Sequence, residues 1–107
     1  MADIEIDGKR RRLVYNYNAV ADAEKETGMG FGAMMSEDRI GFDTIRTLLW
    51  AGMKSYEHGL TLQRAGMLID KYLEDGGKIE DMMVVIFKAV QESKMFAKSG
   101  NVEAGGE

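Results

Sequence analysis

One amphipathic pattern lies near the centre of the chain, over residues 43–58, DTIRTLLWAGMKSYEH. Apolar residues recur there at i, i+3, i+4, i+8 and i+11, and at about 100° per residue they form a single stripe. This spacing predicts a core helix that is capped by Asp43 and ends near Gly59. The residues of the stripe are Ile45, Leu48, Leu49, Met53 and Tyr56.

Trp50, the only tryptophan, lies on the polar side of this helix, about 120° from the centre of the stripe. Two positions are open for it. Either it packs as a second small core under the N-terminal segment or under residues 28–35, or it faces a partner. Because buried aromatic residues often dominate interface energy, Trp50 is the first candidate for a partner-binding residue.

Two further amphipathic helices follow. Thr61 is the expected N-cap of the first, whose stripe ends at the strong stop signal Asp75-Gly76-Gly77. The second is expected to run from Ile79 to Lys98, with an apolar arc about 200° wide. A helix this apolar is predicted to be central to the fold or buried in an oligomer.

The N-terminal residues alternate as strands do. In DIEID, residues 3–7, Ile4 and Ile6 lie on one face. A turn at Gly8-Lys9 and a second strand over residues 12–17 complete a predicted β-hairpin. Since a lone hairpin is marginal in water, it is expected to lie on the helices or to pair with another chain.

A short helix is predicted over residues 19–27, with Asn18 as its N-cap and Gly28 as its end. Residues 28–35, GMGFGAMM, are irregular and allow two interpretations. Either the segment tucks its apolar side chains onto the core, or it is a mobile partner-binding loop, because methionine adapts to irregular surfaces. The side chains concerned are Met29, Phe31, Met34 and Met35.

Taken together, the elements predict a mainly helical α+β fold, an N-terminal β-hairpin followed by a small bundle of about four helices. A chain of 107 residues is expected to form one domain, here over residues 1–98. The last residues, 99–107, contain three glycines and little to bury, so they are predicted to be a flexible tail.

Charge and composition narrow the class of protein. The formal charge of −4 disfavours non-specific nucleic-acid binding, which depends on neutralising phosphates. One basic run, KRRR at Lys9–Arg12, is interpreted as a solvated turn and strand start, or as a contact for a phosphate or an acidic partner. No apolar run is long enough for a membrane span or follows a basic N-region, so a cytoplasmic protein without membrane contact is expected.

The chemistry of an enzyme is not visible in the sequence. There is no cysteine, and the only histidine is His58, expected at a helix end. The motifs of a zinc protease, a P-loop or a serine hydrolase do not occur. We therefore predict a protein without catalytic residues, cofactor or metal.

Apolar residues on otherwise polar helix faces are the remaining candidates for a functional surface. Trp50, Met67 and Val84 each lie about 140° from the first stripe residue of their helix. Such residues are often scattered and without consequence, but a contiguous patch would bind a partner. The full candidate set is Trp50, Met67, Met29, Met34, Met35 and Val84.

Three segments carry a family resemblance: 17–28, which includes NAVADAEKETG; 45–53, IRTLLWAGM; and 60–70, LTLQRAGMLID. Together they resemble the tail assembly chaperones of long-tailed bacteriophages, including relatives in prophages and gene transfer agents. The family tends to read Leu-Trp-Ala-Gly-Leu and Leu-Thr-Leu-Glu-Glu-Ala-Gly in the second and third segments. Here Met53 replaces the last leucine. Gln63-Arg64 replaces the glutamate pair, so any acidic contact that this pair makes in the family is not expected here.

The resemblance implies a non-enzymatic chaperone that binds the tape measure protein, recruits the tail tube protein and self-associates. Such a protein acts in the host cytoplasm and is absent from the mature virion. The residues alone also allow a different class, a small helical regulatory or interaction protein, for which DNA binding through Lys9–Arg12 is one form.

Overall fold

The computed structural model of the chain describes residues 2–36, 38 and 40–96. The expected tail, 99–107, lies outside the described residues. The elements in chain order are β1 (Asp3–Ile6), β2 (Lys9–Arg12), α1 (Tyr17–Thr27), α2 (Phe31–Met34), α3 (Phe42–Met53), α4 (Leu62–Glu74) and α5 (Ile79–Glu92). An antiparallel hairpin is thus followed by helices, which confirms the predicted mainly helical α+β class.

The hairpin is shorter than predicted, and its second strand lies earlier in the chain. Asp7 and Gly8 both have positive φ, 55° and 74°, as a two-residue type I′ turn requires. Ile6 therefore pairs with Lys9, and the basic run forms β2 itself. The predicted turn at Gly8-Lys9 and the predicted strand over 12–17 are wrong, because the Asp-Gly pair sets the register.

Helix α3 is the centre of the fold. Eight of its twelve residues are buried, so it has contacts on nearly every side. It packs against α1, α4, α5 and β2. The hairpin covers the same core, with Ile4 and Ile6 buried and β1 against α4 and α5.

Helix α3 ends at Met53, well before the predicted end near Gly59. The N–H of Val14 donates to the carbonyl of Gly52 at 2.8 Å, and Tyr56 N–H, the helical partner of that carbonyl, bonds to Met53 O instead. The side chain of Tyr56 is 55% exposed, so its predicted place in the core stripe is wrong. The N-cap is Gly41 rather than Asp43, which lies in the first turn.

The observed ends of α1 and α4 agree with most of the predicted capping residues. Asn16, not Asn18, caps α1, and its Oδ1 accepts the N–H of Ala19 at 2.9 Å. Gly28 ends α1 in the left-handed conformation, as predicted. Thr61 caps α4 as predicted, accepting the N–H of Arg64 at 3.1 Å.

Helix α5 ends at Glu92, six residues before the predicted Lys98, which lies outside the described residues. Ser93 is buried, and its Oγ donates to the carbonyl of Tyr15 at 2.7 Å. This bond holds residue 93 in an extended conformation, which stops the helix. Beyond it, the ring of Phe96 stacks on that of Phe31, with centroids 5.3 Å apart.

Candidate partner-binding groove

Phe42 is the most exposed large apolar residue described, with 84% of its surface accessible. It is the first residue of α3 and stands beside an open cleft of about 360 Å³ between α3, α4 and the start of α5. We call this cleft the Phe42 groove. Its apolar lining consists of Phe42, Ile45, Ile69, Leu73 and Ile79.

Helical spacing explains how the chain builds this groove. Phe42, Ile45 and Arg46 follow each other at i, i+3 and i+4 on α3. Gly66, Ile69, Asp70 and Leu73 follow at i, i+3, i+4 and i+7 on α4, so each set lies on one side of its helix.

Gly66 keeps one end of the groove free of a side chain. A Cβ at that position would lie 3.3 Å from Cδ of Arg46, so the Arg46 side chain lies close to the backbone of α4. The groove is thus formed by two helices in close contact and is not a gap between loosely packed elements.

Among the described residues, three charged ones line the same groove: Asp43, Arg46 and Asp70. Oδ1 of Asp43 accepts the N–H of Thr44 at 2.8 Å. Within the described part of the chain, neither aspartate forms an ion pair with Arg46 or with any other residue. The groove therefore presents an apolar surface flanked by two carboxylates and one guanidinium.

The methionines of residues 28–35 do not form a free surface. Met34 is fully buried, so its proposed part in partner binding is wrong for this fold, because a side chain without accessible surface cannot contact a partner. Phe31 is buried as well, and Met29 and Met35 are half-buried and pack on the core. The interpretation that the segment tucks onto the core is therefore the correct one.

Met67 and Val84 are 61% and 64% exposed, as expected for residues on polar faces. Trp50 is half-buried, and its indole N–H donates to the carbonyl of Leu60 at 2.9 Å. Nζ of Lys54 lies 4.7 Å from the centre of its ring. None of these three apolar candidates lines the Phe42 groove.

Sequence reasoning did not single out Phe42. Phe42, Ile45 and Leu49 share the helical spacing i, i+3 and i+7, which indicates that Phe42 belongs to the helix but does not indicate its exposure. The expectation that Asp43 caps the helix placed Phe42 outside it, although the helix begins there. Ile69 and Leu73 belong to the apolar stripe of α4, but Leu73 is 41% exposed at the groove.

The basic run Lys9–Arg12 is largely engaged within the chain. Arg10 pairs with Asp3 at 2.9 Å, and Arg11 pairs with Glu57 at 2.6 Å. The guanidinium of Arg12 lies 5.2 Å from the ring centre of Tyr56. Three of the four basic side chains thus already contact residues of their own chain.

The described residues contain neither a membrane-spanning helix nor a metal-binding cluster. No helix in that part of the chain has the length and hydropathy needed to cross a membrane. No group of three or more histidine, cysteine or acidic side chains is arranged there to hold a metal ion. Comparisons with protein-family models, curated proteins and solved structures give no match to this chain.

Proposed function

We propose that this chain is a non-enzymatic phage tail assembly chaperone that binds the tape measure protein in the Phe42 groove and aids assembly of the tail tube. One observation supports it above the others. Phe42 is 84% exposed beside an apolar cleft, in a chain whose central helix is otherwise buried on most sides. Exposed apolar surface of this kind is typical of a binding site.

The size of the groove suits a short stretch of amphipathic helix. From Gly66 to Leu73 its α4 side covers eight residues, or seven steps of about 1.5 Å each, roughly 10 Å. That length matches two turns of a bound helix, which presents apolar side chains at i, i+3 or i+4, and i+7. A tape measure protein is a long helical chain, so it offers such stretches repeatedly.

A single groove of this size binds weakly. Burying a phenylalanine side chain contributes about 1.5–3 kcal/mol, which by itself does not offset the cost of association, about 4 kcal/mol or more. Many copies arranged along one tape measure protein raise the total affinity, since each additional binding event is then effectively intramolecular. Weak individual contacts also suit a chaperone that has to be released.

Under this proposal the chain works in the host cytoplasm, keeps the tape measure protein soluble and self-associates along it. It recruits the tail tube protein and leaves before the virion is complete. These steps are implied by the family resemblance of residues 17–28, 45–53 and 60–70, and the groove is the proposed binding surface.

The test is co-expression with a tape measure protein encoded by the same genome, which the proposal expects to be the partner. We expect the wild-type chain to keep that protein soluble and to co-purify with it, and Phe42→Ser to lose both effects. Tyr17→Ser is the matched control, because Tyr17 is 73% exposed but does not line the groove. Equal retention by Phe42→Ser and wild type, or no retention by wild type, would contradict the proposal.

The other class, a DNA-binding regulatory protein, has no comparable observation in its favour. Its expected contact, Lys9–Arg12, is the strand β2, and its three arginines contact residues of the same chain. We therefore do not propose it.

A further inference from the structure

We infer that the Phe42 groove selects helices that carry lysine or arginine beside their apolar stripe, because Asp43 and Asp70 flank its apolar lining. This inference rests on the proposed helix-binding function of the groove and adds a charge requirement to it. The partner is then a basic amphipathic helix rather than an amphipathic helix of any charge.

Asp70 is the stronger of the two attracting groups. It lies in the interior of α4, far from the positive end of that helix. Its neighbour Lys71 pairs with Asp75 at 3.3 Å, so that ammonium does not neutralise Asp70. The carboxylate of Asp70 forms no ion pair within the described chain and is free to accept a cation from a partner.

Asp43 contributes less, because it lies in the first turn of α3. Its Oδ1 already accepts the N–H of Thr44, and the positive end of the helix offsets part of its charge. Among the described residues, Arg46 is the one positive residue that lines the groove. These three described side chains carry a formal charge of −1, two carboxylates and one guanidinium.

Spacing on α4 places this charge next to an apolar contact. Asp70 and Leu73 are three residues apart and both line the groove. A bound helix whose apolar side chain covers Leu73 therefore brings its flanking residues close to Asp70. A lysine or arginine there gains an ion pair, whereas a glutamate meets a like charge.

The size of the expected effect follows from solvent exposure. Exposed ion pairs change affinity by about two- to fivefold each, and salt weakens them. With two aspartates, we expect a basic helix to bind about fivefold more tightly than its uncharged counterpart at low salt. An acidic version is expected to bind more weakly than the uncharged one by a similar factor.

Three synthetic helices with one identical leucine stripe test this directly. Their flanking positions carry lysine, glutamine or glutamate, and their dissociation constants for the full chain are measured at about 0.05 M and 1 M salt. We expect the order lysine, glutamine, glutamate from tightest to weakest at low salt, and nearly equal values at high salt.

Matched variants separate local attraction from overall charge. Asp70→Asn and Glu26→Gln each remove one negative charge from a chain of net charge −4. Glu26 is exposed on α1 and does not line the groove. We expect Asp70→Asn to reduce the preference for the lysine helix at least twofold and Glu26→Gln to leave it unchanged.

The possible outcomes distinguish this inference from the function on which it rests. If the glutamine helix binds in a Phe42-dependent way and the lysine helix binds no more tightly, the charge requirement is overturned and the groove remains a helix-binding site. If none of the helices binds and the tape measure protein is not retained, both are overturned. Self-association that is lost in Phe42→Ser, without helix binding, would assign the groove to a second copy of the chain and overturn the inference.

Discussion

Gly52 lies against Tyr15 so closely that a Cβ at position 52 would stand 2.8 Å from both Cζ and the hydroxyl oxygen of the Tyr15 ring. The absent side chain lets the segment after β2 cross α3 directly. The same crossing places Val14 N–H on the Gly52 carbonyl at 2.8 Å. Glycine is required here for close approach rather than for its backbone conformation.

Gly52→Ala is therefore expected to destabilise the chain, although alanine is the better helix former by about 1 kcal/mol. Tyr15 is only 1% exposed and cannot move outward, so overpacking costs about 1–3 kcal/mol. Urea unfolding followed by circular dichroism measures the change. Gly66→Ala is the control, because its Cβ would meet only Cδ of the flexible Arg46 side chain, at 3.3 Å. A more stable Gly52→Ala protein would contradict the argument.

Tyr15 also makes the fold less stable at alkaline pH. Its hydroxyl donates to the carbonyl of Leu48 at 2.6 Å, and burial raises the pKa of Tyr15 far above its ordinary value. The folded chain thus keeps this proton at a pH where the unfolded chain loses it, near pH 10. The unfolding free energy should fall above about pH 10 by about 1.4 kcal/mol per pH unit from this residue.

Tyr15→Phe isolates that contribution. The variant loses the hydrogen bond to Leu48 and about 1 kcal/mol at neutral pH, but its unfolding free energy should fall less steeply above pH 10. Tyr17→Phe, at a position that is 73% exposed, should keep the wild-type slope. Urea unfolding at several values between pH 8 and pH 11 measures both. Equal slopes in wild type and Tyr15→Phe would show that another group controls the alkaline loss.

Local patterns predicted the elements of this fold well, and tertiary contacts explain where the predictions fail. The periodicity correctly predicted the core face of α3, and Thr61 and Gly28 correctly predicted two helix ends, because such signals act within a few residues. The end of α3 depends on Val14, which is 38 residues from Gly52 in the sequence. A helical pattern relates only residues a few positions apart, so it does not predict this contact. The end of α5 depends in the same way on the contact between Ser93 and Tyr15.

The candidate site was harder to predict than the fold. Met34 and Phe42 are both apolar residues next to a glycine or a short loop, yet one is fully buried and the other is 84% exposed. Which of them faces solvent depends on how α2 and α3 pack, and composition does not report this. The hairpin register is a different case, since the Asp7-Gly8 pair was a sufficient local signal for it.

Trp50 now has a structural role that can be tested. Its indole hydrogen bond to Leu60 stabilises the connection between α3 and α4. Trp50→Ala should therefore lower the unfolding free energy by about 1–3 kcal/mol. Met67→Ala is the control, since Met67 is 61% exposed and its loss should change stability by no more than about 0.5 kcal/mol. Thermal and urea unfolding measure both. Unchanged stability combined with weakened self-association would instead favour the partner-facing position for Trp50.

The ion pair between Arg11 and Glu57 ties the hairpin to the residues after α3. Nη1 of Arg11 lies 2.6 Å from Oε1 of Glu57, and the two side chains are only 9% and 16% exposed. Nε of Arg11 also donates to the carbonyl of Ile6 at 3.1 Å. The second carboxylate oxygen of Glu57 is buried and has no hydrogen-bond partner among the described residues, so this carboxylate depends on Arg11 for its stabilisation.

Arg11→Met should therefore destabilise the chain by about 2–3 kcal/mol, because it leaves a largely buried carboxylate without its cation. Adding Glu57→Leu should restore most of that loss, since an apolar pair of similar volume can replace a buried ion pair. Arg10→Met is the control, because Arg10 and Asp3 are 61% and 41% exposed and such a pair contributes about 0–1 kcal/mol. A double-mutant cycle from urea unfolding measures the coupling between Arg11 and Glu57. A coupling near zero, with the double variant as unstable as the sum of the single ones, would show that the loss in Arg11→Met comes from packing rather than from the unpaired charge.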